Sequence, residues 1–401
     1  MERDPMSASG SRAEAIAAEA LAAAGAGVMS VSTLSVEPRG AAAVTAVAAS
    51  LADDGPDGSR IVYVDESSDP VAVWVHPDDP HLPALAAAAF PHAIAVLLAR
   101  VGLPGTVTSI ELVAYRPTRR AVIRADVGGR TVYVKVVRPD RVASIAERHR
   151  VFADAGLPVP AAHGWSPSGL VVLGPADGTP LESVVAEADA DAIVREVDAL
   201  RERIASVAGT PPPARPSVAA RADWYADRLA ARVPALAGRL DPLVAVARRA
   251  SAAAVPGMTA HGDLHVGQLF VGDDARTITG LIDVDTAAAT DPGVDGGAFL
   301  AHAAVSAELA DRRGDPAAAA GFRALAHAAE AAWAGRADRT DGAHAVAHLL
   351  AQAMQAACAR DDAEVAAALV DRARRLAGEV ARAHEDALTD PSLAPHPVAG
   401  A

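Results

Sequence analysis

Three alternating runs in the middle of the chain limit its fold more than any other feature. The runs Thr106–Tyr115, Arg120–Val127 and Arg130–Val137 alternate apolar and polar residues, and a Gly128-Gly129 pair separates the last two. Alternation with a period of two is typical of strands with one buried face, and Gly-Gly between such runs predicts a hairpin. Beyond residue 176 the chain has mostly the periodicity of helices. The sequence therefore predicts an α+β fold with a mostly β N-terminal lobe and a helical C-terminal lobe.

The length of 401 residues exceeds what one ordinary hydrophobic core accommodates, so we expect more than one domain. Residues 106–175 form the predicted β-rich lobe, and residues 176–401 form the helical lobe. Residues 1–105 precede both, with apolar runs that predict short strands and helices. We interpret them as an N-terminal extension or cap of the β-rich lobe.

Composition excludes several classes of function. The formal net charge of -14 disfavours binding to nucleic acids or anionic membranes. Cys358 is the sole cysteine, so the chain has no intramolecular disulfide. The N-terminus lacks the charge pattern of a signal peptide, and no apolar run reaches the roughly 20 residues of a membrane span. These features predict a cytoplasmic protein.

Lys135 is the only lysine in a chain with 36 basic Lys and Arg residues. It lies inside the third alternating run, in the sequence TVYVKVVRPD. Val132, Val134 and Val136 share one face of this predicted strand, and Lys135 projects from the other. Arginine and lysine are not equivalent, so a single retained lysine inside a strand is a candidate for chemistry.

One non-helical island, Met258–Phe299, interrupts the helical region. It reads MTAHGDLHVGQLFVGDDARTITGLIDVDTAAATDPGVDGGAF. The apolar runs Gln268–Val271 and Thr277–Val284 predict a hairpin. Asp263 lies just before the first strand and Asp283 at the end of the second. We therefore expect both carboxylates at one end of the hairpin.

These residue types match the requirements of phosphoryl transfer from ATP. That reaction needs a lysine for the nucleotide phosphates, a carboxylate that takes the proton of the acceptor hydroxyl, and oxygen ligands for Mg²⁺. Asp263 is the candidate base. Gln268 and Asp283 are the candidate metal ligands, because an amide oxygen and a carboxylate suit a hard cation. Lys135 completes the set.

The segments HGDLHVGQ and LIDVD resemble the catalytic and metal-binding segments of the aminoglycoside phosphotransferase family. The resemblance covers about residues 106–302 and implies a bilobal protein-kinase-like fold that phosphorylates a small-molecule hydroxyl with ATP and Mg²⁺. It implies that Asp263 is the catalytic base, that Gln268 and Asp283 bind the metal, and that Lys135 binds phosphate. It also relates Asp285 and Asp291-Pro292 to the acidic residue and the Asp-Pro that follow the metal aspartate in the family.

The chain departs from the family pattern at three places. Gln268 stands where Asn is usual, although the chain has no Asn at all, and the HxGQ form is similar to that of maltokinases and glucosamine kinases. The run Asp295-Gly296-Gly297 lacks the usual Asp-Leu-Ala, which leaves the role of Asp295 open. No glycine-rich phosphate loop is present, and YRPTRR at Tyr115–Arg120 takes its place.

Glu147 is the expected helix partner of Lys135 in such a fold, twelve positions downstream. Helical geometry gives a second reading, because the apolar residues Val142, Ile145 and Phe152 cluster on a face away from Glu147. The glutamate either packs on a second helix face beside the lysine or is solvated.

Two other functions remain open at the level of sequence. A metal-dependent hydrolase would use His261, Asp263 and His265 as alternating ligands, although it leaves Lys135 without a role. A nucleotide-binding module without catalysis is motivated by Gln268 and the missing glycine loop. The leading hypothesis is a small-molecule kinase whose partner is a hydroxyl acceptor, and the sequence does not identify that acceptor.

Overall fold

The computed structural model describes residues 5–39, 42–53, 58–210, 216–252, 258–334 and 340–389. The chain divides into two compact units. The first comprises Met1–Ala146 and Ala161–Pro175, and the second comprises Glu147–Pro160 and Ala176–Ala401. None of the described helices combines the length and apolar character needed to cross a membrane.

The first unit opens with a helix packed on an antiparallel sheet. Its elements are α1 (Pro5–Ala23), β1 (Val28–Arg39), β2 (Ala42–Leu51), β3 (Arg60–Asp65) and β4 (Ala72–Val75), with the strands in the order β1-β2-β3-β4. Ala17 and Leu21 of the helix pack on Val47, Val62 and Val64 of the sheet. The sequence analysis did not predict β2, because its many alanines favour a helix in isolation. Pairing with strands on both sides overrides that preference.

Two short helices, α2 (Leu85–Ala88) and α3 (Pro91–Arg100), lead into a second sheet. Its five strands are β5 (Val107–Arg116), β6 (Arg120–Val127), β7 (Arg130–Val137), β8 (Ala162–Ser166) and β9 (Leu170–Leu173), all antiparallel, in the order β5-β6-β7-β9-β8. The predicted hairpin at Gly128-Gly129 is confirmed, since β6 and β7 pair in register up to this turn.

Both faces of the central strand β7 are buried. Val132, Val134 and Val136 belong to a core shared with the short helices. The opposite face carries Lys135 and Val137 and is covered from helix α4 (Pro139–Asp154), which contributes Val142 and Ile145. The boundary between the units falls within α4.

The second unit is mainly helical around one large core. Its helices are α5 (Ala190–Ala205), α6 (Ala222–Arg232), α7 (Asp241–Ala252), α8 (Gly293–Arg312), α9 (Pro316–Ala329), α10 (Asp341–Ala359) and α11 (Ala363–Thr389). Helix α5 begins at Ala190, because Asp189 caps it by accepting a hydrogen bond from Ala192 N.

Short strands lie among these helices. They are β10 (Thr179–Pro180), β11 (Thr259–Ala260), β12 (Leu269–Val271), β13 (Ile278–Leu281) and β14 (Ala288–Ala289), and all but β10 belong to the predicted island. The island ends earlier than predicted, because α8 begins at Gly293. Strands β12 and β13 form the predicted hairpin, with β10 along its edge, and β11 pairs with β14. The predicted α+β class is confirmed, with a sheet-rich N-terminal region and a helical C-terminal region.

Candidate active site

The segment His261–Asp263 leaves β11 in a sharply defined conformation. Gly262 has φ +87°, and a Cβ at this position would lie 2.8 Å from the carbonyl oxygen of Thr286. The Thr286 hydroxyl donates to the His261 carbonyl at 2.9 Å, and His261 Nε2 donates to the Ile282 carbonyl at 3.1 Å. Glycine is therefore required between the histidine and the aspartate, and these contacts tie the segment to the chain around Asp283.

Asp295 binds the backbone of the same segment through its carboxylate. Its two carboxylate oxygens accept hydrogen bonds from the backbone N–H groups of His261 and Gly262, each at 2.8 Å. Burial raises the pKa of Asp295, while these bonds and His261 oppose that rise. Although Asp295 is not followed by the usual Leu-Ala, its carboxylate therefore fixes the backbone of the His261–Asp263 segment.

The glycines after Asp295 allow another helix to approach closely. A Cβ at Gly296 would collide with Asp341 Oδ1, and one at Gly297 would lie 2.4 Å from His344 Cβ. Asp341 also forms a buried ion pair with Arg201 at this point. Gly296 and Gly297 thus accommodate the start of α10 against α8.

Asp291, the aspartate of the Asp-Pro, is a structural residue of this region. Its carboxylate accepts hydrogen bonds from His344 at 2.9 Å, Thr340 at 2.7 Å and Gly293 N at 2.9 Å. Burial alone would raise the pKa of Asp291, but these donors outweigh it and hold the pKa below its usual value. Asp291 therefore joins the start of α8 to α10.

Asp263 presents its carboxylate to solvent, with 46% of its side chain exposed. The group near it on α8 is His302, whose Nε2 lies 4.0 Å from Asp263 Oδ1. A carboxylate that is rigidly mounted through its preceding residues and open to a ligand has the properties of a general base.

Gln268 and Asp283 lie on adjacent strand ends. Leu269 faces Leu281 in the hairpin register, and Ile282 N donates to the Gln268 carbonyl at 3.0 Å. Asp283 follows directly in a left-handed conformation, with φ 62° and ψ 43°. The structure therefore brings the two predicted metal ligands together at one end of the hairpin.

The side chain of Gln268 is buried and positioned by its own turn. Its Oε1 accepts a hydrogen bond from His265 N at 3.2 Å, and His265 Nδ1 accepts one from Gly267 N at 3.2 Å. An amide oxygen has two lone pairs, so this bond leaves acceptor capacity for a cation. With the Asp283 carboxylate, the donor set fits Mg²⁺.

Lys135 lies in the first unit, in the middle of β7. It is paired with Val122 of β6 and Val171 of β9, and only 6% of the residue is exposed. The strand therefore has neighbours on both sides at this point. A buried lysine on a central strand is fixed far more firmly than a surface lysine.

The turn between β5 and β6, which replaces a glycine-rich loop, is held by residues from other parts of the first unit. Buried Asp79 accepts hydrogen bonds from Thr118 N and from the Tyr115 hydroxyl, each at 2.7 Å. Arg138 donates to the Thr118 carbonyl at 2.8 Å, and Arg39 donates to the Pro117 carbonyl at 2.9 Å. Burial and the bond to Asp79 raise the pKa of Tyr115. This turn is therefore fixed in place.

Glu147 lies on the exposed side of α4. Its side chain is 54% exposed, and both carboxylate oxygens accept hydrogen bonds from Arg150, at 2.6 and 2.9 Å. Arg150 lowers the pKa of Glu147 through these bonds. The next two residues, Arg148 and His149, are buried. The predicted pairing of Glu147 with Lys135 stays a prediction.

The ligand set of the alternative hydrolase is engaged in other contacts. His261 and His265 both use a ring nitrogen to bind backbone groups. In the part of the chain that the structure describes, no group of three or more His, Cys, Asp or Glu could hold a metal ion.

Sequence reasoning missed three residues of this region. Asp79 precedes the turn by 39 residues, and no motif connects the two. His302 is a single histidine on an apolar helix and belongs to no motif, and the sequence leaves the role of Asp295 open. For Asp295, its place at the start of a helix, soon after Asp-Pro, was a usable signal.

A family model described as "Phosphotransferase enzyme family" (APH) matches residues 118–338. Because this span is more than half of the chain, the protein belongs to this phosphotransferase family, and the resemblance drawn from the His-Gly-Asp segment is confirmed. None of the curated proteins compared matches the chain.

Solved structures of aminoglycoside phosphotransferases are similar to the chain at low identity. A thermostable mutant of APH(4)-Ia in its apo form has 20% identity and a TM-score of 0.49, covering 70% of this chain and 97% of its own. Its D198A variant, solved with ADP and hygromycin B, has 20% identity and a TM-score of 0.44 over the same shares. APH(3'')-Id from Streptomyces rimosus has 22% identity and a TM-score of 0.38, covering 64% of this chain and 97% of its own.

Proposed function

We propose that the protein is an ATP- and Mg²⁺-dependent kinase that transfers the γ-phosphate to a hydroxyl of a small molecule. The observation that carries the proposal is the arrangement of Asp263, Gln268 and Asp283 around the β12–β13 hairpin. Family membership supports the class of reaction. The acceptor class of the proposal includes aminoglycosides, sugars, amino sugars and amino alcohols.

Asp263 acts as the base in this proposal. Its exposed carboxylate accepts a hydrogen bond from the acceptor hydroxyl and orients the oxygen toward the γ-phosphorus. As the new O–P bond forms, the bond to the ADP oxygen breaks and the hydroxyl proton passes to Asp263. Asp295 and Gly262 serve this step by keeping the backbone before Asp263 in one conformation.

Gln268 and Asp283 would hold the metal ion. Mg²⁺, when bound with ATP, neutralises negative charge on the phosphates and so favours transfer. Gln268 supplies a positioned amide oxygen, and Asp283 supplies a carboxylate from the residue that follows its backbone neighbour Ile282. Glutamine in place of asparagine keeps the amide oxygen but adds one methylene group between it and the backbone.

Lys135 would bind the nucleotide phosphates. A compact ammonium held on a central strand offers donors to phosphate oxygens in a fixed position. In the same proposal Glu147 pairs with Lys135, which requires its side chain to leave Arg150. That exchange is feasible because exposed ion pairs contribute little, about 0–1 kcal/mol.

We also propose that residues 1–105 extend the nucleotide-binding lobe, residues 106–175, ahead of the helical lobe at residues 176–401. Hydrogen bonds from Asp79 and Arg39 to the β5–β6 turn support this arrangement. The extension would stiffen the turn in the absence of a glycine-rich loop.

An acceptor panel tests the proposed function. Purified protein is incubated with Mg²⁺ and ATP and with hygromycin B, D-glucose, D-glucosamine or ethanolamine, and ADP release is measured. We expect acceptor-dependent ADP release and a phosphorylated acceptor by mass spectrometry. The Asp263→Ala variant is the blank. ADP release that no acceptor stimulates, or that Asp263→Ala retains, would contradict the proposal.

A further inference from the structure

His302 is a polar side chain close to the proposed base that the reaction above does not use. It is the tenth residue of α8, and its side chain is 26% exposed. Its Nε2 lies 4.0 Å from Asp263 Oδ1. The imidazole thus forms part of the surface that a ligand of Asp263 meets.

Two other histidine rings lie beside this ring. His265 stacks on His302 with ring centroids 4.6 Å apart and an interplanar angle of 18°. His348 of α10, which is buried, is a second neighbouring ring, with centroids 6.2 Å apart and an angle of 60°. The Nε2 atom is therefore a preorganised hydrogen-bonding group.

The imidazole is uncharged at neutral pH. Burial lowers the pKa of His302 to about 4. A neutral imidazole has one N–H donor and one lone pair, so it can bind hydroxyl and amino groups. Because it carries no positive charge, it does not form an ion pair with the Asp263 carboxylate. His302 is thus suited to recognising a neutral polar group of a ligand.

The distance between the two groups favours a ligand with two adjacent polar groups. A direct N–H···O hydrogen bond spans about 2.7–3.2 Å, so the 4.0 Å separation leaves Asp263 and His302 without a bond to each other. A hydroxyl bound to Asp263 brings the substituent on its neighbouring carbon within reach of His302 Nε2. Two such anchors fix the direction of the reactive hydroxyl as well as its position.

We propose that His302 is an acceptor-binding residue, selecting alcohols that carry a second hydroxyl or amino group on the carbon next to the phosphorylated hydroxyl. The proposal rests on the proposed kinase function and narrows its acceptor to vicinal diols and amino alcohols, as in sugars and aminocyclitols. His265 acts as a positioning residue, because its ring stacks on His302.

Variants at position 302 separate hydrogen bonding from packing. His302→Phe keeps a flat ring on His265 but removes Nε2, and His302→Gln keeps a hydrogen-bonding group without the ring. His327, an exposed histidine on α9, provides the control variant His327→Ala. Melting temperatures establish that each variant is folded.

The kinetic readout uses D-glucosamine, D-glucose, 2-deoxy-D-glucose and hygromycin B as acceptors. For each acceptor that the wild type phosphorylates at a hydroxyl with an adjacent hydroxyl or amino group, we expect His302→Phe to raise the acceptor KM about tenfold, as loss of one hydrogen bond does. We expect the KM for ATP to change less than twofold. His302→Gln should recover part of the loss, and His327→Ala should behave as the wild type.

The same experiment distinguishes the failure of the two proposals. An unchanged acceptor KM in His302→Phe, or an equal rise in the KM for ATP, would overturn the role of His302 while leaving the kinase intact. The role of His302 would also be overturned if 2-deoxy-D-glucose and D-glucose were phosphorylated with equal efficiency at a hydroxyl next to the deleted group. If the wild type phosphorylates none of these acceptors while an isolated alcohol such as ethanol is phosphorylated, the selection for adjacent groups is wrong. If no alcohol is phosphorylated, the kinase function and the role of His302 both fail.

Discussion

Two loops of this protein, one in each unit, are held by the same device. A buried aspartate accepts hydrogen bonds from their backbone N–H groups: Asp295 binds the His261–Asp263 segment, and Asp79 binds the β5–β6 turn at Thr118. The two differ in their place in the sequence. Asp295 lies within the span matched by the family, residues 118–338, whereas Asp79 precedes this span, although both are buried. A residue outside the family span therefore holds one loop in the same way that a residue inside the span holds the other.

Replacement of Lys135 should have the largest effect on activity. It tests the first unit, which contains the β5–β6 turn. In Lys135→Arg we expect kcat/KM to fall about 100-fold despite the retained charge, because the planar fork is bulkier than the ammonium on a buried strand. The coupled ADP assay gives the rate. Arg130→Lys, an exposed change at the start of the same strand, is the control. Equal activity of Lys135→Arg and the wild type would remove Lys135 from the site.

The two aspartates can be compared directly by alanine substitution. Asp295→Ala leaves the buried N–H of His261 and the partly buried N–H of Gly262 without partners and should lower the free energy of unfolding by about 2–5 kcal/mol. Asp79→Ala should cost less, about 1–2 kcal/mol, since some of its donors are only partly buried. Urea denaturation followed by circular dichroism measures both values.

The two substitutions should also change different kinetic constants. We expect Asp295→Ala to reduce kcat and Asp79→Ala to raise mainly the KM for ATP. Asp154→Ala, which removes an exposed ion pair with Arg150, is the control and should change stability by less than about 1 kcal/mol. If Asp79→Ala leaves the KM for ATP unchanged, the extension has no role in nucleotide binding.

Glycine substitutions provide a smaller test of how tightly the His261–Asp263 segment is held, with the β6–β7 turn at Gly129 as the reference loop. Gly262→Ala should cost about 1–3 kcal/mol, because φ +87° is strained for alanine and its Cβ would meet the Thr286 carbonyl. Gly129→Ala, at φ +76° with open space around it, should cost only about 1 kcal/mol. Thermal unfolding compares the two. A larger loss at Gly129 would mean that the catalytic segment is not the more constrained loop.

The smallest expected effect is a change in the pH dependence of stability. His302 has a folded pKa of about 4 against an ordinary value of 6.5, so between these pH values the unfolded chain binds a proton that the folded protein does not. The free energy of unfolding should therefore fall as the pH is lowered from 6.5 to 4. In His302→Phe this slope should be smaller between pH 6.5 and 4. An unchanged slope would show that His302 does not contribute to the pH dependence of the free energy of unfolding.

Periodicity and motif spacing were sufficient to predict the central parts of the fold and site. The β6–β7 hairpin followed from Gly128-Gly129, and the approach of Gln268 to Asp283 followed from strand pairing, which depends on local sequence. Strand β2 was missed because alanine-rich segments carry a helical preference that pairing overrides.

Contacts between distant parts of the sequence could not be predicted in this way. The bond from Thr118 to Asp79 spans 39 residues, and the approach of His302 to Asp263 depends on how α8 packs. Glu147 is a different case, because the position of its helix was predicted while the direction of its side chain depends on Arg150.

Transfer of labelled phosphate in the wild type and in Asp263→Asn tests the central claim most directly. Both proteins are incubated with Mg²⁺, [γ-³²P]ATP and the best acceptor of the panel, and the labelled product is quantified after separation. Asparagine preserves the size of the side chain but cannot take a proton. The account predicts labelled acceptor with the wild type and a rate at least about 100-fold lower with Asp263→Asn. Equal labelling by the two proteins would contradict it.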